Sequence, residues 1–538
     1  MTLSLDKVCT AEGVLLALFL VFSCALWIKK RRLPLPPGPT GWPIIGNVFD
    51  MPPNSEWEAF QRWGKESNSD IVYLNMAGTS IVVLNSVKAV KDLLEKRSSI
   101  YSNRTKFTAI NEILGWSWLM PFMRYGAEWK ERRRHFQRYF HPSALTIHKP
   151  QERQHIQFLL QRMSEDPNNY LHHIQHAIGG ILYSVAYGFK IKEQDDPYIA
   201  LAKQITGYLC QCAVPSMVAM DRIPKAIRTL IQPLLPGPIF SKPKQYWADL
   251  ADHFLDAPFE RVQQLMAEGK EEPSFLSESL KAELKPDESE QTRHAIIKDI
   301  AAIVFIGGSG TTTAILHTFM LSMLMHPEIQ AKGQEEIDRV IGRRRLPDYD
   351  DEPNLPYCRA LLREVYRQVQ CQVFTNCYPN AFLCFRWHPA GPIGIPHFLD
   401  KDDEYNGYHI PKGSVVIANV WAMCQNEDEY PNPEIFNPER HLKDGKLDPD
   451  LRDPSLLNFG FGRRICPGMH MGMSMVWTTA MSILATYKIS KALDKQGNEI
   501  EPKVEFVPLI TVQPAPFDCT ITPRHEGVRD LLFGTKDL

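Results

Sequence analysis

Apolar and polar positions alternate through residues 70–86 (DIVYLNMAGTSIVVLNS), and the stretch is rich in β-branched side chains. That pattern predicts a β-hairpin. From about 87 to 345 the spacing is mostly helical, most clearly over 150–164, 245–269 and 292–341. After 387 come short strand-like pieces, such as 413–419 (GSVVIAN), broken by Pro, Asn and Gly. A helical pattern returns over 469–486, and strand-like pieces at 504–512 and 517–522 close the chain. The expected fold class is therefore mostly α with small β regions. Past residue 50 there is neither an internal repeat nor a long low-complexity linker, so over residues 51–538 one large domain is as well supported as several small ones.

The N-terminus is patterned differently. Residues Gly13–Ile28 (GVLLALFLVFSCALWI) carry no charge. The run is a little shorter than the roughly 20 residues of a usual membrane-spanning helix. A cleaved signal peptide is the alternative, but no small-x-small cleavage site follows the run. Instead it is followed by Lys29, Lys30, Arg31 and Arg32, which hold the rest of the chain on the cytosolic side. Residues 1–28 are thus expected to carry an uncleaved transmembrane anchor at about 13–28. Residues 29–50 then form a basic, proline-rich hinge, with Pro34, Pro36, Pro37 and Pro39 as a stiff spacer.

Composition narrows the class. At 44% hydrophobic and 23% charged residues, the chain has the balance of a folded enzyme. A net charge of −2 gives no reason to expect a nucleic-acid partner. The 11 cysteines are scattered over 538 residues, which makes no disulfide framework, and none shows zinc-type spacing with histidine. Taken singly, each reads as a small buried apolar residue.

Cys466 is different because of its surroundings. Residues 459–468 read FGFGRRICPG. Gly460 and Gly462 permit backbone approaches closed to other residues. Pro467 suits a first helical position, so Cys466 is expected at a helix N-terminus, where the dipole favours a thiolate. Arg463 and Arg464 are expected to add to that. The stretch resembles the heme-binding loop of the cytochrome P450 family, with Phe459, Gly462, Arg464, Cys466 and Gly468 at the family's spacing. The resemblance implies heme b with Cys466 as axial thiolate ligand to iron, a ligand that favours O–O cleavage. It also implies Arg464 as a donor to a heme propionate and Phe459 packed near the sulfur.

Other segments fit the same family. Glu364-Val-Tyr-Arg367 matches its Glu-x-x-Arg helix and Pro438-Glu-Arg440-His its Pro-Glu-Arg segment, which implies a buried ion cluster of Glu364, Arg367 and Arg440. Such a cluster is tolerable only when fully paired, so it reads as an architectural lock. Trp129-Lys-Glu-Arg-Arg133 matches the Trp-x-x-x-Arg helix; at i,i+4 the indole and guanidinium share a face and can donate to one propionate. His397 stands where the family often has a propionate contact. Thr311 occupies the family's distal-helix threonine position.

Two departures stand out. Gly310 replaces the acid that in the family precedes this threonine and helps relay protons towards dioxygen. Positioned proton transfer is worth about 10²–10⁴-fold, so slower or uncoupled turnover is expected unless water, Ser309 or a substrate hydroxyl substitutes. Second, residues 368–386 (QVQCQVFTNCYPNAFLCFR) separate Arg367 from Trp387, which directly follow one another in the family. Deleting these 19 residues restores EVYRWHPAGPIG in frame, so the segment reads as a retained intron in the gene; a genuine surface loop is the alternative.

The resemblance implies the prism-like P450 fold after an N-terminal membrane helix, and monooxygenation of an apolar small molecule. Electrons would come from NADPH through NADPH-cytochrome P450 reductase, with cytochrome b5 as a second donor. Segments such as HPEIQAKGQEEIDRVIG resemble fungal microsomal members, implying an endoplasmic reticulum membrane location, a cytosol-facing catalytic domain and a role in secondary metabolism. Substrate contacts are expected from 105–125, 205–220, 300–312, 391–396 and 508–512. The alternatives are a heme-thiolate isomerase, dehydratase or reductase that bypasses oxygen activation, or a poorly functional product of a mis-spliced gene.

Overall fold

The structure is a computed structural model that describes residues 33–52, 56–192, 196–212, 228, 238–284, 288–368, 393–502, 506–508 and 512–534. The expected anchor at 13–28, the basic residues 29–32 and all of the suspected insertion except Gln368 lie outside the described residues.

The hairpin forms where the alternation placed it. Strands β1 (Ile71–Met76) and β2 (Thr79–Leu84) pair antiparallel and are joined through Ala77 and Gly78, both at positive φ (47° and 87°). That two-residue turn matches the strands' right-handed twist. Short strands β3 (His397–Phe398) and β4 (Val415–Ala418) complete a sheet of order β1-β2-β4-β3, with β4 parallel to β2. The register sets His397 opposite Val416. Near the C-terminus, β5 (Tyr487–Lys491) pairs with β8 (Cys519–Pro523), and β6 (Phe506–Pro508) with β7 (Val512–Pro514).

Helices make the rest: α1 (Glu56–Glu66), α2 (Ala127–Phe140), α3 (Lys149–Glu165), α4 (Tyr170–Tyr187), α5 (Pro197–Cys212), α6 (Lys244–Ala267), α7 (Glu290–Met325), α8 (Pro327–Val340), α9 (Pro356–Gln368) and α10 (Met469–Thr486). The helical pattern over 292–341 comprises two helices, and the distal one, expected near 292–325, is α7. Proline disfavours helical conformation in the residue before it, and His326 leaves the helix at φ −130°, ψ 69°. Helix α7 starts on Ser289, whose side chain accepts from the Thr292 N–H. It runs 36 residues through the middle of one continuous hydrophobic core. Among the described residues it is the one helix long and apolar enough to cross a membrane, but it is mostly buried, as an all-round apolar core helix must be.

Two smaller clusters of buried apolar side chains line the two faces of the sheet. The hinge is not a free spacer. Tyr73 N–H donates to the Pro37 carbonyl (2.8 Å) and His409 N–H to that of Pro34 (2.7 Å), so residues 33–39 are fastened to the folded domain.

Candidate active site

The loop between the sheet region and α10 carries Cys466. Gly462 is at φ 57°, and a Cβ there would lie 2.1 Å from the Leu94 carbonyl oxygen, so only glycine fits. Cys466 N–H donates to the Phe459 carbonyl (2.7 Å), closing the loop on itself. Helix α10 begins at Met469 with Gly468 as its N-cap, so Pro467 lies in the preceding turn and not at the first helical position expected for it.

Cys466 is exposed, and the space it faces is a cavity of about 310 Å³ between its loop and α7. Burial pushes its thiol up, while a hydrogen bond from the Gly468 backbone and the charge of Arg133 pull it down. The expected help from Arg463 and Arg464 is absent, because both side chains turn elsewhere. Arg463 is exposed and donates to the Tyr125 hydroxyl (3.0 Å). Arg464 donates to the carbonyls of Ser102 (2.7 Å) and Met123 (2.8 Å). By contrast Cys212, Cys358, Cys424 and Cys519 are buried, as ordinary small apolar residues would be.

The same cavity gathers the dispersed residues. Trp129, Arg133, His397, Phe459, Arg464 and Thr311 all line it. The Arg464 guanidinium lies 4.4 Å from the centre of the Trp129 ring. Burial pushes its pKa down to about 9, so it stays charged at neutral pH. Arg133 from α2 donates one N–H to the Ile465 carbonyl, next to the cysteine. His397 donates from Nδ1 to the Tyr101 carbonyl (2.8 Å); burial, and then the charge of Arg104, keep its ring neutral.

Arg104 is a further residue of this wall, and no motif marks it. It is buried, lines the cavity, and donates to the carbonyls of Ile395 (2.6 Å), Pro396 (2.8 Å) and Pro121 (3.1 Å). Three guanidinium groups thus meet one cavity, and no carboxylate stands among its described lining residues. Like charges brought together in a poorly solvated site call for an anionic guest. The Nη1 of Arg464 is buried and has no partner among the described residues. A group bearing two carboxylates on an apolar disc, as heme does, fits this wall. The other walls are apolar: Met120, Leu182, Ile303, Val304, Ile393 and Ile395.

On the α7 side, Thr311 donates from Oγ1 to the Gly307 carbonyl (2.8 Å), and Gly307, Gly308 and Thr312 share the lining. Ser309, considered as a stand-in for the missing acid, does not line the cavity. Nor do residues 205–212 on α5, expected among the substrate contacts.

The ion cluster forms, with one more member. Arg367 grips Glu364 through two bonds (2.9 and 2.7 Å), Arg440 reaches it at 3.3 Å, and His441 at 2.9 Å. Asn437 N–H adds a fifth bond (3.0 Å). Burial raises the Glu364 pKa, but the hydrogen bonds from His441 and Arg367 win and hold it near 2. His441 stood in the Pro-Glu-Arg-His segment, and its place directly after Arg440 was the signal that could have found it. Glu364 and Arg367 lie on α9, whose Tyr366 carbonyl accepts from Asn458 of the cavity wall (3.3 Å).

The sequence profile described as cytochrome P450 matches residues 36–374 and 384–520. Over 521 residues the chain is 39% identical to the cytochrome P450 monooxygenase ple1 of Rhodocybe pseudopiperita, covering 96% of this chain and 95% of the relative. It is 36% identical to the tryptamine 4-monooxygenase of Psilocybe cyanescens, over 97% of this chain and all of that one. It is also 36% identical to cytochrome P450 monooxygenase 98 of Postia placenta, over 95% and 94% of the two chains.

Proposed function

We infer the roles of individual residues from the premise that this chain belongs to the cytochrome P450 family and is a heme-thiolate monooxygenase. Like its family it uses dioxygen, an organic substrate and a redox partner. A heme-thiolate isomerase or reductase is not favoured, since the relatives are named monooxygenases.

Cys466 would supply the sulfur ligand to the iron of a bound heme. The observation that carries this is its opening onto a cavity whose opposite requirement, a cationic carboxylate cradle, is met by other elements. Arg464 Nη1, Arg104, Arg133, Trp129 and His397 hold the two propionates, and Phe459 packs beside the sulfur and fixes the loop through its carbonyl. Bound there, heme supplies the iron at which dioxygen is reduced and one oxygen atom is inserted into substrate. Thr311 holds a proton at Oγ1 on the α7 wall of the cavity. Glu364, Arg367 and Arg440, with His441, fix the architecture.

The substrate is neutral and largely apolar. The described cavity wall offers aliphatic side chains, and no carboxylate to pair an ammonium group of the kind tryptamine carries. The reductant is NADPH through NADPH-cytochrome P450 reductase, with cytochrome b5 as a possible second donor, and the apolar run 13–28 anchors the enzyme in the endoplasmic reticulum membrane. The family match breaks at 375–383, inside 368–386, which supports reading that segment as material additional to the family pattern and a retained intron. Transcript sequencing checks this: a dominant message containing these codons contradicts it.

Turnover is tested with reductase, NADPH and a substrate found by its binding spectrum. Thr311→Ala is expected to lower product formation by up to about 10²-fold. Gly310→Asp is expected to raise the product formed per NADPH consumed. No NADPH-dependent dioxygen uptake by heme-loaded protein would contradict monooxygenation.

A further inference from the structure

Helix α2 sends Trp129 and Arg133 to the cavity wall. Another pair on the same helix, Glu131 and His135, does not line that cavity. The two are spaced i,i+4, so their side chains share one face of α2. Glu288 reaches the same place from a different element, since it directly precedes Ser289, the N-cap of α7. One carboxylate oxygen from each of Glu131 and Glu288 and one ring nitrogen of His135 all lie within 4.8 Å of one another. Among the described residues, this is the one place where three such metal-binding donors converge.

An ion pair alone does not account for the spacing. His135 Nε2 and Glu288 Oε1 are 3.7 Å apart, too long for a hydrogen bond between imidazole and carboxylate. Two ligands of one tetrahedral zinc ion, each bound at about 2.1 Å, stand about 3.4 Å apart. Rotation of side chains is enough to bring the three donors to that separation. The place is also poorly solvated, with the His135 and Glu288 side chains 17% and 8% exposed. Two carboxylates held together there favour a cation beside them. Neighbouring cations of α2 are engaged elsewhere: Lys130 lies over the Tyr125 ring (5.0 Å), Arg132 binds Asp299 (2.7 Å) and Arg133 donates to the Ile465 carbonyl. One imidazole with two carboxylates is a donor set for zinc or a similar divalent transition ion, with water as fourth ligand. The hard ions calcium and magnesium prefer oxygen ligands alone.

We propose that Glu131, His135 and Glu288 form a zinc site that clamps α2 to the start of α7. The Arg132–Asp299 ion pair already joins these two helices, and the ion adds a second joint nearer the start of α7. The test uses the heme-loaded full chain, so that Cys466 is not offered to zinc. The protein is stripped with a chelator and dialysed to equilibrium against zinc chloride, and bound zinc is counted by mass spectrometry. The native chain is expected to hold one zinc ion more than Glu288→Gln or His135→Gln. Their affinity for that ion should fall by more than the roughly 10–100-fold that loss of an outer-shell partner costs. His294→Gln, which removes a histidine elsewhere on α7, should bind as the native chain does. Zinc should raise the Tm of the native chain and leave that of Glu288→Gln unchanged. Should His135→Gln fail to fold, Glu131→Gln on the same face of α2 takes its place. A native chain that retains no zinc overturns the site, and so does equal retention by the native chain, Glu288→Gln and Glu131→Gln. Zinc bound through these residues without a rise in Tm overturns the clamp.

Discussion

At the scale of the residue, the account turns on what surrounds each charged or sulfur-bearing side chain. Cys466 could be picked from 11 cysteines because its partners in the loop are contiguous in sequence. Arg104 could not, because what makes it functional is burial against carbonyls of residues almost 300 positions away. The same limit explains the error over Arg463 and Arg464: neighbours in sequence were assumed to be neighbours of the sulfur, whereas Arg133 on α2 is the cation that acts on it. Arg104 offers a test of the cradle. A charge-assisted hydrogen bond contributes about 1.5–3 kcal/mol. Arg104→Leu is therefore expected to speed heme loss by roughly ten- to a hundredfold, measured as transfer to an apo-acceptor. Unchanged heme loss would remove Arg104 from the cradle.

At the scale of the element, hydrophobic periodicity located α3, α6, α7 and α10, the last to the residue, whereas α2 and α9 were marked by their motifs and α4 was not singled out. The end of the distal helix, expected near 325, falls at Met325, just before Pro327 opens α8. Periodicity also could not show how closely helices cross. Gly308 lets α7 approach α4 so closely that a Cβ would lie 2.9 Å from the Leu182 side chain, which shares the cavity wall. Gly308→Ala is expected to destabilise the fold by about 1–3 kcal/mol through overpacking, offset in part by a better helix former. Leu182→Ala in the same chain should recover much of that loss, because the two sites touch. Thermal unfolding of the single and double variants checks the coupling; strict additivity would mean that the crossing is not set by this pair.

At the scale of the whole molecule, buried acids of opposite character shape the dependence of stability on pH. The Glu364 pKa of about 2 lies below its ordinary 4.5. Its contribution is thus complete above about pH 4.5 and is lost as pH falls towards 2. Glu152, buried against Ser474 of α10 (2.9 Å), behaves the other way: burial raises its pKa to about 7. The native state then holds a proton that the unfolded chain releases, so stability declines as pH rises from about 4.5 through 7. Glu152→Gln is expected to flatten the decline on the neutral side and leave the acid limb unchanged, as read by denaturant unfolding across that range. A decline of the same steepness in the variant would show that Glu152 is not its source.

The fold as a whole was legible because its motifs are spread along the chain in a fixed order, and the cavity draws them into one place. What sequence could not supply was the charge balance of that cavity: three guanidinium groups, no described carboxylate in the wall, and one buried Arg464 nitrogen left for a guest. The central claim is that the guest is heme and that Cys466 holds its iron. The most direct measurement is the carbon monoxide difference spectrum of the reduced, heme-loaded protein, for the native chain and for Cys466→His. The native chain should show the red-shifted band of a thiolate ligand, and Cys466→His should replace it with the shorter-wavelength band of imidazole ligation or lose heme. A red-shifted band that persists in Cys466→His would contradict the assignment.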